Sequence, residues 1–213
     1  MSERWATFDC YGTLIDWNGG IRGALAHVFG EARADDLLAR YHELEPELEH
    51  DGSRSYAEVM TEAMRRLGAA DDDATTLASS LPSWEPFPEV RASLGELRRR
   101  EWRLAILSNS DPPQIEASKA KLGVPFDVTV VAGEIASYKP AHRHWEEFSA
   151  RSGVAPERHV HVGASLFHDA VPARELGIPF VWINRLGEAS DVPVRELPDL
   201  TRLPDTLDEL VRP

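Results

Sequence analysis

The sequence is poorest in cysteine: of 213 residues only Cys10 is one, so neither an internal disulfide framework nor a paired-cysteine metal or redox site can form. Long apolar runs are missing too. No window reaches the ~18 consecutive apolar residues of a membrane-spanning helix, and the stretch from Met1 to Asp9 has no basic segment leading into an apolar one. These absences set the expectation of a soluble, cytoplasmic protein with no membrane partner. Positive charge is scarce as well, since 23 Lys and Arg stand against 36 Asp and Glu for a net charge of −13. Nucleic-acid binding needs clustered cations, and the one compact run, Arg98-Arg99-Arg100, reads as a solvated helix end. What is present is a globular composition. With 42% hydrophobic and 28% charged residues, the chain can bury a core and keep a charged surface.

The apolar pattern changes period along the chain. Trp5-Ala6-Thr7-Phe8 runs into Asp9 and then the turn around Gly12, which predicts a buried strand ending in a loop. From Trp17 to about Ser80 the spacing becomes helical, with Ile21, Leu25 and Val28, then Leu37, Tyr41, Leu44 and Leu48, then Tyr56, Val59, Met60, Ala63 and Leu67. Pro82, Pro86 and Pro88 suit a linker that returns the chain to the first layer. After it, strand-like runs at 104–107, 128–131, 160–162 and 180–183 alternate with helical stretches near 113–122, 141–152 and 168–176. That alternation predicts an α/β fold, a doubly wound parallel sheet with helices on both faces. The expected division is a core of residues 1–15 plus 86–213 and a helical unit of 16–85.

An open parallel sheet binds ligands beyond the carboxyl ends of its strands. The residues that follow the apolar runs are Asp9, then Ser108-Asn109, then Lys139, then Asp169. Singly, each is ordinary turn or cap chemistry. Together they would bring two carboxylates, an ammonium and a hydroxyl-amide pair to one edge.

In that order, Phe8-Asp9-Cys10-Tyr11-Gly12-Thr13-Leu14, Leu107-Ser108-Asn109, Tyr138-Lys139-Pro140 and Asp169 resemble the four motifs of the haloacid dehalogenase-like (HAD) hydrolases, and within them the 2-haloacid dehalogenase branch. The likeness covers nearly the whole chain, and the helical insert is similar to that family's cap. It implies that Asp9 is a nucleophile whose carboxylate forms a covalent ester that water then hydrolyses. Thr13 and Ser108 would position that carboxylate or the substrate, Lys139 would hold the Asp9 charge and help bind an anion, and Asp169 would orient Lys139 or the water. The implied activity is that of a (S)-2-haloacid dehalogenase-like enzyme on small 2-substituted carboxylic acids, without a cofactor. A homodimer is an arrangement the resemblance also allows.

Three positions separate the branches. Tyr11 stands where phosphatases of the superfamily carry a second Asp that protonates a leaving alcohol; a halide leaves without a proton. Ala164, in Gly163-Ala164-Ser165, stands where phosphatases place a carboxylate for Mg²⁺, leaving Asp9, Tyr11 and Asp169 as a weak metal set. Arg40, in Arg40-Tyr41-His42-Glu43-Leu44-Glu45, resembles the arginine that grips the substrate carboxylate. Tyr11, Asn109 and Trp145 complete the expected substrate contacts, although Trp145, Ala164 and Leu166 replace a Tyr, a Ser and an Asn of the dehalogenase branch. His159 and His161, two apart on a strand, share a face, but scattered polar positions explain them better than a zinc site. Two alternatives stay open: a Mg²⁺-dependent phosphatase acting on a small phosphate ester, and a non-catalytic carboxylate-binding homologue.

Overall fold

The computed structural model describes residues 3–50, 52–190 and 193–212. Six strands form one sheet, β1 (Arg4–Phe8), β2 (Trp102–Ser108), β3 (Val128–Val131), β4 (His159–Gly163), β5 (Phe180–Ile183) and β6 (Arg195–Leu197), in the order β3-β2-β1-β4-β5-β6. Every neighbouring pair is parallel. The order reverses at β1, so the switch point falls at its carboxyl end.

Parallel strands buried on both faces read as continuous apolar runs, which is why five of these strands show in the sequence. Alternate side chains go to opposite faces. Ala6, Phe8, Leu104, Ile106, Val160 and Val162 lie in one core layer, whereas Trp5, Ala105, Leu107, Val130, Trp145 and Phe148 make a second. Each fully buried large apolar side chain contributes roughly 1.5–3 kcal/mol, so the central strand is fixed from both sides. Its remaining inward residue on the second face, Thr7, is polar, and β4 sets His161 directly beside it.

Between β1 and the proline-rich return lie four helices, α1 (Trp17–Phe29), α2 (Glu31–Glu49), α3 (Tyr56–Arg66) and α4 (Thr76–Ser80). Asp16 caps α1 by accepting from the Gly19 N–H, and Ser55 with Glu58 closes a capping box on α3. The sheet is flanked by α5 (Val90–Arg99), α6 (Pro112–Leu122), α7 (Ala132–Ile135), α8 (Arg143–Ser152), α9 (Val171–Glu175) and α10 (Leu203–Leu210). No described helix is long and apolar enough to cross a membrane.

The sequence reading differs from the structure in two places. The helix expected at 168–176 is a π turn at Leu166–Ala170 running into α9. Gly163 permits this, because a Cβ there would stand 2.4 Å from the Asp169 carboxylate. The other difference is β6 with α10, which the apolar pattern did not reveal: Arg195 and Glu196 are exposed at the sheet edge and only Leu197 is buried.

Candidate active site

Asp9 leaves the sheet one residue beyond β1, its N–H donating to the Val162 carbonyl at 2.9 Å. Thr13 donates its hydroxyl to Asp9 Oδ2 at 2.7 Å. Lys139 places Nζ 2.9 Å from Asp9 Oδ1 and 2.7 Å from Asp169 Oδ1. The ammonium is thus shared by two carboxylates and is itself buried. Asp169 Oδ2 accepts from the Ser165 N–H. Asn109 holds the Lys139 backbone on both sides, accepting its N–H at 2.7 Å and donating to its carbonyl at 3.1 Å. The expected substrate contact at Asn109 is therefore a clamp on Lys139, although the residue still borders the cavity.

Behind Asp169 runs a buried chain of hydrogen bonds. His161 Nε2 lies 3.1 Å from Asp169 Oδ1, and its Nδ1 is 2.8 Å from Thr7 Oγ1, which is 2.7 Å from His159 Nε2. An ionised carboxylate only accepts, so Nε2 of His161 carries the proton. Thr7 Oγ1 stands between the two rings, donating to one and accepting from the other. Burial pushes His159 down to about 3, with His161 adding to the effect, so its ring is neutral near pH 7. The histidine pair read from strand spacing is a tautomer-fixing chain beneath the carboxylates.

The charges set one another. Burial raises Asp169, but Lys139 and the His161 hydrogen bond outweigh it and hold that carboxyl below its ordinary range. Burial lowers Lys139, and Asp169 and Asp9 together more than reverse this. For Asp9 burial dominates, with Lys139 opposing and Asp169 reinforcing it, so its carboxyl titrates higher than usual and is the more basic of the two. Breaking such a network by removing one ion costs ~3–5 kcal/mol, because a buried charge is left unpaired.

Asp9, Lys139, Asp169, Ser108 and Asn109 open on a cavity of about 600 Å³ whose opposite wall comes from α1, α2 and α3. Ser108 is buried and its hydroxyl has no partner among the described residues. On the far wall Tyr41 and Tyr56 both donate to Glu45 Oε1, at 3.0 and 2.8 Å, and Glu49 Oε2 accepts from Asn109 at 3.3 Å. Burial pushes Glu45 up to about 7 and Glu49 well above its ordinary value. Trp17 donates to Tyr56 at 3.1 Å and stacks on His42. Exposed Phe167 and Leu186 stand at the rim.

Residues 4–177 match the haloacid dehalogenase-like hydrolase family. The chain is a member of that family. It is 34% identical over 192 residues to (S)-2-haloacid dehalogenase of Pseudomonas sp. (strain YL), covering 84% of this chain and 82% of that one. To phosphoserine phosphatase of Thermus thermophilus it is 31% identical over 168 residues, covering 75% and 67% respectively. Its fold matches L-2-haloacid dehalogenase from Xanthobacter autotrophicus with chloropropionic acid covalently bound, with a TM-score of 0.83, 19% identity, and 97% and 98% of the two chains covered.

Within this family frame three sequence expectations change. Arg40 is not at the cavity: it is exposed on the outer face of α2 and pairs at 4.0 Å with Glu43. The buried stripe of that helix runs through Leu37, Tyr41, Glu45 and Leu48, which turns Arg40 away. Trp145 is not a cavity residue either; it is buried in the second core layer, edge-on to His161 at 5.1 Å. Tyr11 does border the cavity, but its hydroxyl bonds to Ser118 at 2.9 Å and burial raises its titration far above neutral, so it is no proton donor to a leaving group.

The set Asp9, Tyr11 and Asp169 does not fit a divalent cation. Lys139 already bridges the facing carboxylate oxygens, Thr13 and the Ser165 N–H take the other oxygen of each, and Ala164 brings no carboxylate. Sequence reasoning also missed Arg185, which lines the cavity and lies over the Phe87 ring at 3.6 Å. Its bonds to Glu89 and the Thr13 carbonyl brace the turn that carries Thr13.

Proposed function

We propose that this chain hydrolyses small 2-substituted carboxylic acids, 2-haloacids first among them, through an ester on Asp9. The observation that carries the reading is a basic, partly exposed carboxylate held by Lys139 and Thr13 at the floor of a cavity, with the Tyr11 hydroxyl turned to Ser118. A carboxylate oxygen of Asp9 bonds to the carbon next to the substrate carboxyl, and the halide leaves with the bonding electrons. Water then attacks Asp9 Cγ. Lys139 and Thr13 each face one oxygen of that carboxyl, so the oxygen left unesterified has a donor for the oxyanion that develops on it, and the proton lost by the water passes to the departing product oxygen. The Asp9–product oxygen stays with the product as its new hydroxyl, and Asp9 keeps an oxygen from water.

The substrate carboxylate needs donors, and Arg40 is not one of them. Lys139 uses two of its three N–H groups on Asp9 and Asp169, and the Ser108 hydroxyl has no partner among the described residues. Those two donors beside Asp9 are the anchor in this reading. Residues 16–85 act as a cap that shields the site from bulk water, over a core of 1–15 plus 86–213. With its one thiol, Cys10, buried, the chain suits the cytoplasm.

A phosphate ester fits less well. Its alkoxide leaving group has no acid at Tyr11, and its dianion would meet two carboxylates with no place for Mg²⁺. The test is halide release from 2-chloropropionate without added divalent ion, with the adduct located by mass spectrometry after rapid quench. Release that needs Asp9 and leaves a transient adduct on its peptide is expected; Asp9→Asn should lower turnover by at least ~10⁴-fold. Mg²⁺-dependent cleavage of p-nitrophenyl phosphate with no halide release overturns the reading.

A further inference from the structure

The wall opposite Asp9 carries two carboxyls that are hydrogen-bonded to hydroxyls and an amide but to no cation. Glu45 and Glu49 both line the cavity and are buried, at 7% and 6% exposure, and neither forms an ion pair among the described residues. The bonds to Glu45 end on Oε1 and the bond to Glu49 ends on Oε2, so one oxygen of each has no donor among the described residues. A further acceptor lies on the same helix. Pro46 has no N–H, so the carbonyl of His42 one turn before it lacks its ordinary helical donor. The faces of Trp17 and Tyr56, which also border the cavity, attract cations. Across the space, the buried and unpartnered Ser108 hydroxyl is a polar group that a ligand would complete.

An ammonium arriving at such a wall lets the buried carboxyls ionise against it, which a methyl group of the same size cannot do. Resting on the reading of this cavity as the substrate site, we infer that Glu45 and Glu49 select substrates carrying an ammonium group, so that the preferred class is a zwitterionic 2-substituted carboxylic acid. Its carboxylate lies toward Lys139 and Ser108 and its ammonium toward α2. The tyrosine bonds orient Glu45 for this, and Asn109 ties Glu49 to the loop that holds Lys139, so both carboxyls are fixed before the ligand arrives.

β-Alanine and butyrate test this without any turnover, because they have the same shape and differ in one ammonium for methyl exchange. Calorimetric titration of wild type, Glu45→Gln, Glu49→Gln and the double variant with each ligand gives the preference directly. β-Alanine should bind wild type at least about tenfold more tightly, as a shielded charge-assisted bond implies, and each substitution should erode that ratio while still accepting the Tyr and Asn bonds. Equal or tighter binding of butyrate to wild type, no β-alanine binding at all, or a preference that survives in the double variant overturns the inference. Turnover separates it from the ester reading. Faster 2-chlorobutyrate than 3-amino-2-chloropropionate hydrolysis would sink the ammonium selectivity alone, whereas no turnover of either with an intact β-alanine preference would sink the ester route alone.

Discussion

The two walls of the cavity are built on opposite electrostatic terms. On the sheet side every charge has a partner: Lys139 lies between Asp9 and Asp169, and His161 and Thr7 extend the chain behind them. On the helix side two carboxyls are buried with hydroxyls and an amide but no cation. A paired network fixes geometry and holds one ionisation state, which a nucleophile and its ester need. Unpaired acids leave recognition unfinished until a ligand supplies the missing charge. The strands hold the chemistry, and the helices set what enters.

The contrast breaks most visibly at Lys139. Lys139→Met strands two facing carboxylates, so a loss of ~3–5 kcal/mol in urea unfolding is expected, with turnover down by ~10²–10³-fold from the lost oxyanion donor. Smaller losses from this change would mean that the sheet-side charges are not a unit. His161→Phe keeps a flat ring but removes one of the two ring partners of the Thr7 hydroxyl and one bond to Asp169. Stability should fall by ~1–3 kcal/mol, and kcat should fall more than KM rises, since nothing that touches substrate is removed.

Acid titration sharpens the comparison through its sign. His159 and His144, pushed down to about 3 by burial, take up protons only when unfolded between there and their ordinary 6.5. Stability on their account is full above 6.5 and is lost as pH falls toward 3. Glu45, pushed up to about 7, acts the other way: its contribution is full below 4.5 and is lost as pH rises through 7. Comparing urea midpoints of wild type and Glu45→Gln at pH 5 and pH 8, the variant should lose less stability on going to pH 8, by ~1–2 kcal/mol. An identical pH response in the two proteins would show that the Glu45 carboxyl is not raised. The smallest effect belongs to Arg40, exposed beside Glu43: Arg40→Ala should change stability by less than ~0.5 kcal/mol and turnover by less than about twofold. A large loss of turnover would restore the anchor that the motif spacing suggested.

What could be read from residues alone follows from how each feature is encoded. Buried parallel strands are apolar runs, so β1 to β5 are legible in the sequence, as are the residues that follow them, Asp9 and Ser108 at the strand ends and Lys139 and Asp169 in the segments beyond β3 and β4. The edge strand β6 has one inward residue and no run to show. Arg40 was misplaced because motif spacing assigns a residue to a helix but not to a face. Here the apolar stripe through Leu37, Tyr41 and Leu48 decides the face, and Arg40 falls outside it. The same stripe held a signal that went unread: Glu45 and Glu49 stand four and eight residues after Tyr41, which puts acidic side chains on the buried face. His159 and His161 were visible as a pair on one strand face. Their link through Thr7 depends on the register between β4 and β1, which spacing within one strand does not contain.

The reaction route is decided most directly by oxygen bookkeeping. A single turnover of 2-chloropropionate with enzyme in excess in H₂¹⁸O, followed by mass spectrometry of the Asp9 peptide and of the product, reads where the water oxygen went. An ester route puts the heavy oxygen in the Asp9 carboxyl and leaves the first product hydroxyl unlabelled. Label in the product and none in the peptide would mean that water, rather than Asp9, displaces the halide.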